Sequence, residues 1–157
     1  MKTKSEDIER TLDLADAFLE RLQRRPLPPE WVEADLTVPQ LRVLFALYFD
    51  GPLSCGSLAE TIGLSLPTLT GILERLSRRG YLDRRRSGDD RRRVISTLSP
   101  RGEHLVSRLW ASAREDVAQV LEMLTPADLV SVQQTFEVLI EALEQHAPAS
   151  QRALTAR

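Results

Sequence analysis

A chain of 157 residues, 42% apolar and 28% charged, suits one domain with helical appendages and needs no cross-links to hold its core. The single cysteine, Cys55, excludes an internal disulfide framework and any multi-cysteine metal site. The net charge of −2 conceals an asymmetry: from Glu74 to Arg93 nine arginines stand against four acids, a local +5 that leaves −7 elsewhere.

No apolar run of about 18 residues is present, so no membrane-spanning helix is expected. The acidic start Ser5-Glu6-Asp7 lacks the apolar stretch of a secretory signal. A reducing cytoplasm is the simplest compartment. In chain order, Ile8, Leu12, Ala15, Leu19 and Leu22 recur at helical spacing and predict a helix over 5–23. Pro26, Pro28 and Pro29 forbid its continuation. Such a stripe serves either core packing or a dimerisation arm. A second helix is expected from Thr37, because Thr37-Val38-Pro39-Gln40 has the spacing of a capping box. Leu41, Leu44, Phe45 and Tyr48 line one face, and Asp50-Gly51-Pro52 ends it.

Ser54 or Ser57 caps a short third helix that stops at Gly63. Ser65 then caps a fourth, with Pro67 in its first turn and Gly80 just beyond its end. Leu69, Ile72, Leu73 and Leu76 form its inward face. Residues 81–86 and 94–98 read as two strands joined by the turn Ser87-Gly88-Asp89-Asp90. Ser99-Pro100 opens a long helix carrying Val106, Leu109, Trp110, Ala113 and Val117 at helical period. Thr125-Pro126 opens a last one with Leu129, Val132, Phe136, Leu139, Ile140 and Leu143. Residues 147–157 read as a frayed tail. The expected fold is therefore mainly α with a small β-wing. A winged helix-turn-helix over 37–98 is flanked by an N-terminal helix in 1–36 and two C-terminal helices in 99–146.

A helix-turn-helix sets the N-terminal residues of its second helix against base edges in the major groove. Ser65, Thr68 and Thr70 are short hydrogen-bonding side chains at that place. Arg75, Arg78 and Arg79 follow and can reach the phosphate backbone, as can Arg84 on the first strand. Arginines packed around one turn repel each other without helping the fold. A narrow minor groove is the natural destination for one of them. Asp90 can hold a neighbouring guanidinium in a bidentate pair. A charge run is ordinarily a solvated face, but this one is all arginine and brackets turn signals.

Other classes have less material. Two histidines, one cysteine and no glycine-rich phosphate loop do not make an enzyme site. His104 and His146 lie far apart, which argues against a metal site, and no cofactor is expected. A winged helix that binds protein instead of DNA is the stronger rival. Few exposed apolar residues are expected, which speaks against it. Cys55 sits at a helix start, where a thiolate is favoured, so a redox-sensing regulator is a further alternative beside a plain packing role.

Several ordered motifs together are specific: Thr37-Val38-Pro39-Gln40-Leu41-Arg42-Val43-Leu44, Leu58-Ala59-Glu60, Thr68-Leu69-Thr70, Leu73-Glu74-Arg75-Leu76, Arg79-Gly80-Tyr81-Leu82, Asp90-Arg91-Arg92 and Leu98-Ser99-Pro100-Arg101-Gly102. Over residues 8–145 the chain resembles the MarR family of winged-helix transcriptional regulators. The resemblance implies a homodimer held by the outer helices, reading a pseudo-palindromic DNA operator. Pro67, Thr68 and Thr70 fall at base-reading positions. The wing segment Asp90-Arg91-Arg92 includes Arg92 at the minor-groove position and Asp90 as its brace. Gly71 departs from the pattern, since many members carry a larger polar residue there. Members commonly answer to a small, often aromatic effector, and Trp31 and Trp110 are the candidates to touch it.

Overall fold

The computed structural model describes residues 3–24, 26, 28–86 and 94–146. Its helices are α1 (Lys4–Gln23), α2 (Pro29–Ala34), α3 (Val38–Asp50), α4 (Cys55–Ile62), α5 (Leu66–Arg78), α6 (Pro100–Leu121) and α7 (Pro126–His146). Its strands are β1 (Leu53–Ser54), β2 (Leu82–Arg86) and β3 (Val94–Leu98). They form one antiparallel sheet in the order β1-β3-β2. The mainly α fold with a β-wing is the expected one. Residues 87–93, which include the expected turn Ser87-Gly88-Asp89-Asp90 and Arg91 and Arg92, lie outside the described residues, as do residues 147–157.

Two elements were not anticipated. The prolines before residue 30 do end α1, but Pro29 also starts α2 from the first helical position, where a missing N–H costs nothing. Strand β1 is only two residues long, too short for any alternation to announce it. It exists because Leu53 pairs with Ser96 and Ser54 with Ile95 on β3. The first helix is capped by Thr3, whose N–H donates to the Glu6 carboxylate at 2.8 Å. The expected box at α3 is present, with the Thr37 N–H donating to Gln40 Oε1 at 2.9 Å. Of the two candidate caps for α4, Ser54 is the one used: its Oγ accepts the Ser57 N–H at 3.1 Å.

The core lies where the winged segment folds on itself. Val43, Leu44 and Leu47 of α3 meet Leu58 and Ile62 of α4, Leu69, Leu73 and Leu76 of α5, Leu53 and Leu82 of the sheet, and Val106 of α6. Each such side chain contributes about 1.5–3 kcal/mol by leaving water. The inward face of α3 differs from the expected one. Leu44 is buried, but Phe45 and Tyr48 are only half-buried, and Val43 and Leu47 take their place in the centre.

The end of α5 is fixed by a complete Schellman motif. The Gly80 N–H donates to the Ser77 carbonyl at 2.9 Å and the Tyr81 N–H to the Leu76 carbonyl at 3.0 Å. That geometry needs a left-handed residue, and Gly80 supplies it at φ 75°. Tyr81 therefore serves the cap, and β2 begins one residue later than the hydrophobic pattern suggests. Helix α7 buries no residue, and neither does any described residue of α1.

Candidate nucleic-acid interface

Helix α5 is amphipathic in a way that separates structure from function. Leu69, Ile72, Leu73 and Leu76 face the core, while Ser65, Leu66, Pro67, Thr68, Arg75 and Arg78 are exposed. Ser65 Oγ accepts the Thr68 N–H at 3.4 Å and shares a hydrogen with Thr68 Oγ1 at 2.8 Å. The cap thus satisfies a free N–H and also orients the Thr68 hydroxyl. Thr70 donates its hydroxyl to the Leu66 carbonyl at 2.8 Å, which leaves its lone pairs free to accept. Gly71 has nothing within 4 Å of where a Cβ would stand, so no packing contact demands glycine there.

Strand β2 runs beside α5 and brings Arg84 to it. An open groove of about 420 Å³ separates them, lined by Glu74, Ser77, Arg78 and Arg84. The Arg84 Nε is buried and has no hydrogen-bond partner among the described residues. Arg84 also lines the open groove beside α5. Arg85 and Arg86 are exposed farther along the strand.

The structure gathers Ser65, Pro67, Thr68, Thr70, Arg75, Arg78 and Arg84 on α5 and the strand beside it. It does not do so for Arg79. The side chain expected to reach DNA is half-buried and bonded to the carbonyls of Ala34 and Asp35 at 2.9 and 2.7 Å. Sequence reading also missed Leu66 and Ser77. Leu66 continues the inward period of α5, yet it overhangs the core at the first turn and is 53% exposed. It is an exposed apolar group beside Ser65, Pro67 and Thr68.

Trp31 and Trp110 come together, though 79 positions separate them in sequence. Trp31 stacks on Phe45 with centroids 6.3 Å apart, and Trp110 meets Phe45 at 6.2 Å and Phe49 at 5.1 Å, both edge-on. Phe45 and Phe49, one turn apart on α3, are the unanticipated members of this cluster. Phe49 and Trp110 remain substantially exposed. A separate open cleft of about 620 Å³ lies between Pro26, Pro28, Pro29 and α6, with Glu30 and Arg108 on its walls. Glu30 and Arg108 are 3.3 Å apart. Hydrogen bonding from its own backbone N–H holds the Glu30 carboxyl below the usual range, opposed by desolvation and aided by Arg108. Cys55 is half-buried and packs against the main core, the environment of a filler residue. No described helix is long and apolar enough to cross a membrane.

A model of the MarR family matches residues 36–94. The HTH-type transcriptional regulator YfiV of Bacillus subtilis is 33% identical over 115 residues, covering 73% of this chain and 72% of that protein. The multiple antibiotic resistance protein MarR of Salmonella typhimurium is 28% identical over 109 residues, 69% of this chain and 74% of that protein. Among solved structures, a MarR family protein from Bacillus stearothermophilus superposes with a TM-score of 0.74 at 24% identity, over 91% of this chain and 98% of that one.

Proposed function

This chain belongs to the MarR family of winged-helix transcriptional regulators, and we propose that it acts as a homodimeric repressor of a pseudo-palindromic operator, released by a small aromatic effector. Regulators of this family are non-enzymatic, bind DNA and act as dimers. Residues 37–98 form the DNA-binding unit, and the helices of 1–36 and 99–146 the dimerisation unit. The protein works in the cytoplasm, where its DNA is.

The observation that carries the reading is the exposed side of α5. Ser65, Pro67 and Thr68 stand at its exposed N-terminus with Thr70 two residues on, and Arg75, Arg78 and Arg84 lie behind them. Short acceptors and donors in front read base edges, while guanidinium groups behind hold phosphates. Arg92 enters the minor groove and Asp90 braces it, with Arg91 on the adjoining phosphates. Two α5 helices of a dimer enter successive major grooves about 10 bp apart. The effector reaches Trp31 and Trp110, whose cluster offers exposed aromatic faces.

The test is fluorescence anisotropy with duplexes that the full chain selects from a random pool, set against scrambled duplexes over a salt series. Preference for the selected duplex, with an affinity that falls steeply as salt rises, is the expected result. Steep but unselective binding removes the operator-reading role. An absence of binding at low salt returns the winged unit to the rival role of a protein-binding module.

A further inference from the structure

The C-terminal end of α5 is tied to a different helix. Arg79 follows the last residue of α5 and reaches back across 44 positions of sequence to the end of α2. Its Nη1 donates to the Asp35 carbonyl at 2.7 Å and its Nη2 to the Ala34 carbonyl at 2.9 Å. These carbonyls close a helix that leaves them no partner of its own. Asp35 is the one non-glycine residue at positive φ among the described residues, at 44°. That left-handed turn lets two consecutive carbonyls reach one guanidinium. A strained residue of this kind persists where its surroundings hold it.

The same junction gathers the start of α6. Arg101 Nη1 donates to the Arg79 carbonyl at 3.0 Å. The two guanidinium groups lie over the Tyr81 ring, at 5.3 Å for Arg79 and 4.9 Å for Arg101. Helix α2 itself is only six residues long, and it carries Trp31 against Phe45. One short helix has an aromatic contact on its side and the end of α5 bonded to its own end.

We propose that Arg79 is a positioning residue for DNA binding, which sets the seat of α5 on α2 and so couples the surroundings of Trp31 to the DNA-bound state. This rests on the reading of α5 as the DNA-contacting helix. A helix end released from its seat lets Thr68 and Thr70 wander from the base edges, although neither of them touches Arg79. Because these bonds join the end of α5 to the end of α2, a change in the tilt of α5 on DNA is carried through α2 to Trp31.

The experiment uses the full chain with 5-fluorotryptophan at Trp31 and Trp110, its two resonances assigned through Trp31→Phe. It is titrated with a duplex the parent chain selects from a random pool. In the parent, the Trp31 resonance moves as the duplex saturates. In Arg79→Met, affinity falls about tenfold. At saturation with the same duplex, the Trp31 movement shrinks at least threefold, with helix content retained. If Arg79→Met does not fold, Arg79→Lys replaces it: the charge over Tyr81 is kept, but one ammonium does not span both carbonyls as the planar fork does. The same direction of change is expected. Equal movement in parent and variant, or a parent resonance that stays still while DNA binds, overturns the coupling. A parent that binds no duplex fails earlier, at the DNA reading itself, and the proposal falls with it.

Discussion

Ser65 does two jobs with one oxygen: it accepts the Thr68 N–H and it fixes the Thr68 hydroxyl at 2.8 Å. Replacing Ser65 by Ala should cost about 1 kcal/mol of stability, as loss of a helix cap does. Thr68→Ala should leave stability almost unchanged. It should weaken the selected duplex by about 1–3 kcal/mol relative to a scrambled one, because only base readout is lost. Anisotropy on both duplexes decides it, and equal loss on the two would remove Thr68 from the readout. Gly71 points the other way. With open space where its Cβ would be, Gly71→Ala should stabilise the chain by about 1 kcal/mol in thermal unfolding. If α5 approaches the groove closely there, the same change should weaken DNA binding. A stabilised variant with undiminished affinity would show that no DNA atom needs the space. The sequence places these residues well because cap, proline and hydroxyl spacing are local signals. It places Arg79 badly because the acceptors that capture its side chain lie 44 and 45 positions away, on a helix that no local signal except Pro29 announces.

Elements follow the same division. Helices α1, α3, α5, α6 and α7 carry their period and their caps in the sequence, and all of them form. Helix α2 and strand β1 do not announce themselves, because one starts inside a proline cluster and the other is created by its partner β3. The aromatic cluster is hidden for a similar reason. Phe45 reads as core from its spacing on α3, but α2 and α6 bring Trp31 and Trp110 to it. The join between the wing and α6 makes a sharper test. Ser99 caps α6 through the Gly102 N–H at 3.1 Å and donates its hydroxyl to the Gly80 carbonyl at 2.6 Å. A Cβ on Gly102 would stand 2.1 Å from the Tyr81 carbonyl oxygen, a backbone atom that cannot swing aside. Gly102→Ala should therefore destabilise by about 1–3 kcal/mol, since an overpacked site must shift backbone. The shift falls between α5 and β2, so DNA affinity should fall as well, even though Gly102 touches no DNA. Unchanged thermal unfolding in that variant would mean that α6 yields freely at its start.

At the scale of the whole molecule, the single chain is unfinished. Ile8, Leu12, Leu14, Phe18 and Leu19 of α1 and Phe136, Val138, Leu139, Ile140 and Leu143 of α7 are each at least 50% exposed. The expectation of few exposed apolar residues fails, most heavily on the outer helices α1 and α7, while α5 exposes Leu66 alone of its large apolar side chains. Helices of 20 and 21 residues that bury nothing of their own draw little stability from propensity alone. Regulators of this family act as dimers, and on the dimeric reading proposed above, packing against a second copy would supply what they lack. At about 1.5–3 kcal/mol per side chain buried, the loss of two apolar side chains from each copy removes enough to part a dimer. Leu12→Glu combined with Leu139→Glu should accordingly run as a monomer in sedimentation at micromolar concentration, where the parent runs as a dimer. The winged unit has its own core, built from α3, α4, α5 and the sheet, and should keep its fold in the variant. DNA binding should then change in kind as well as in strength. One unit neutralises about half the phosphates that two do, so the slope of log affinity against log salt should fall to about half the parent's. A variant that stays dimeric would move the interface off these faces. A monomer with the parent's full salt slope would mean that one chain alone makes all the phosphate contacts.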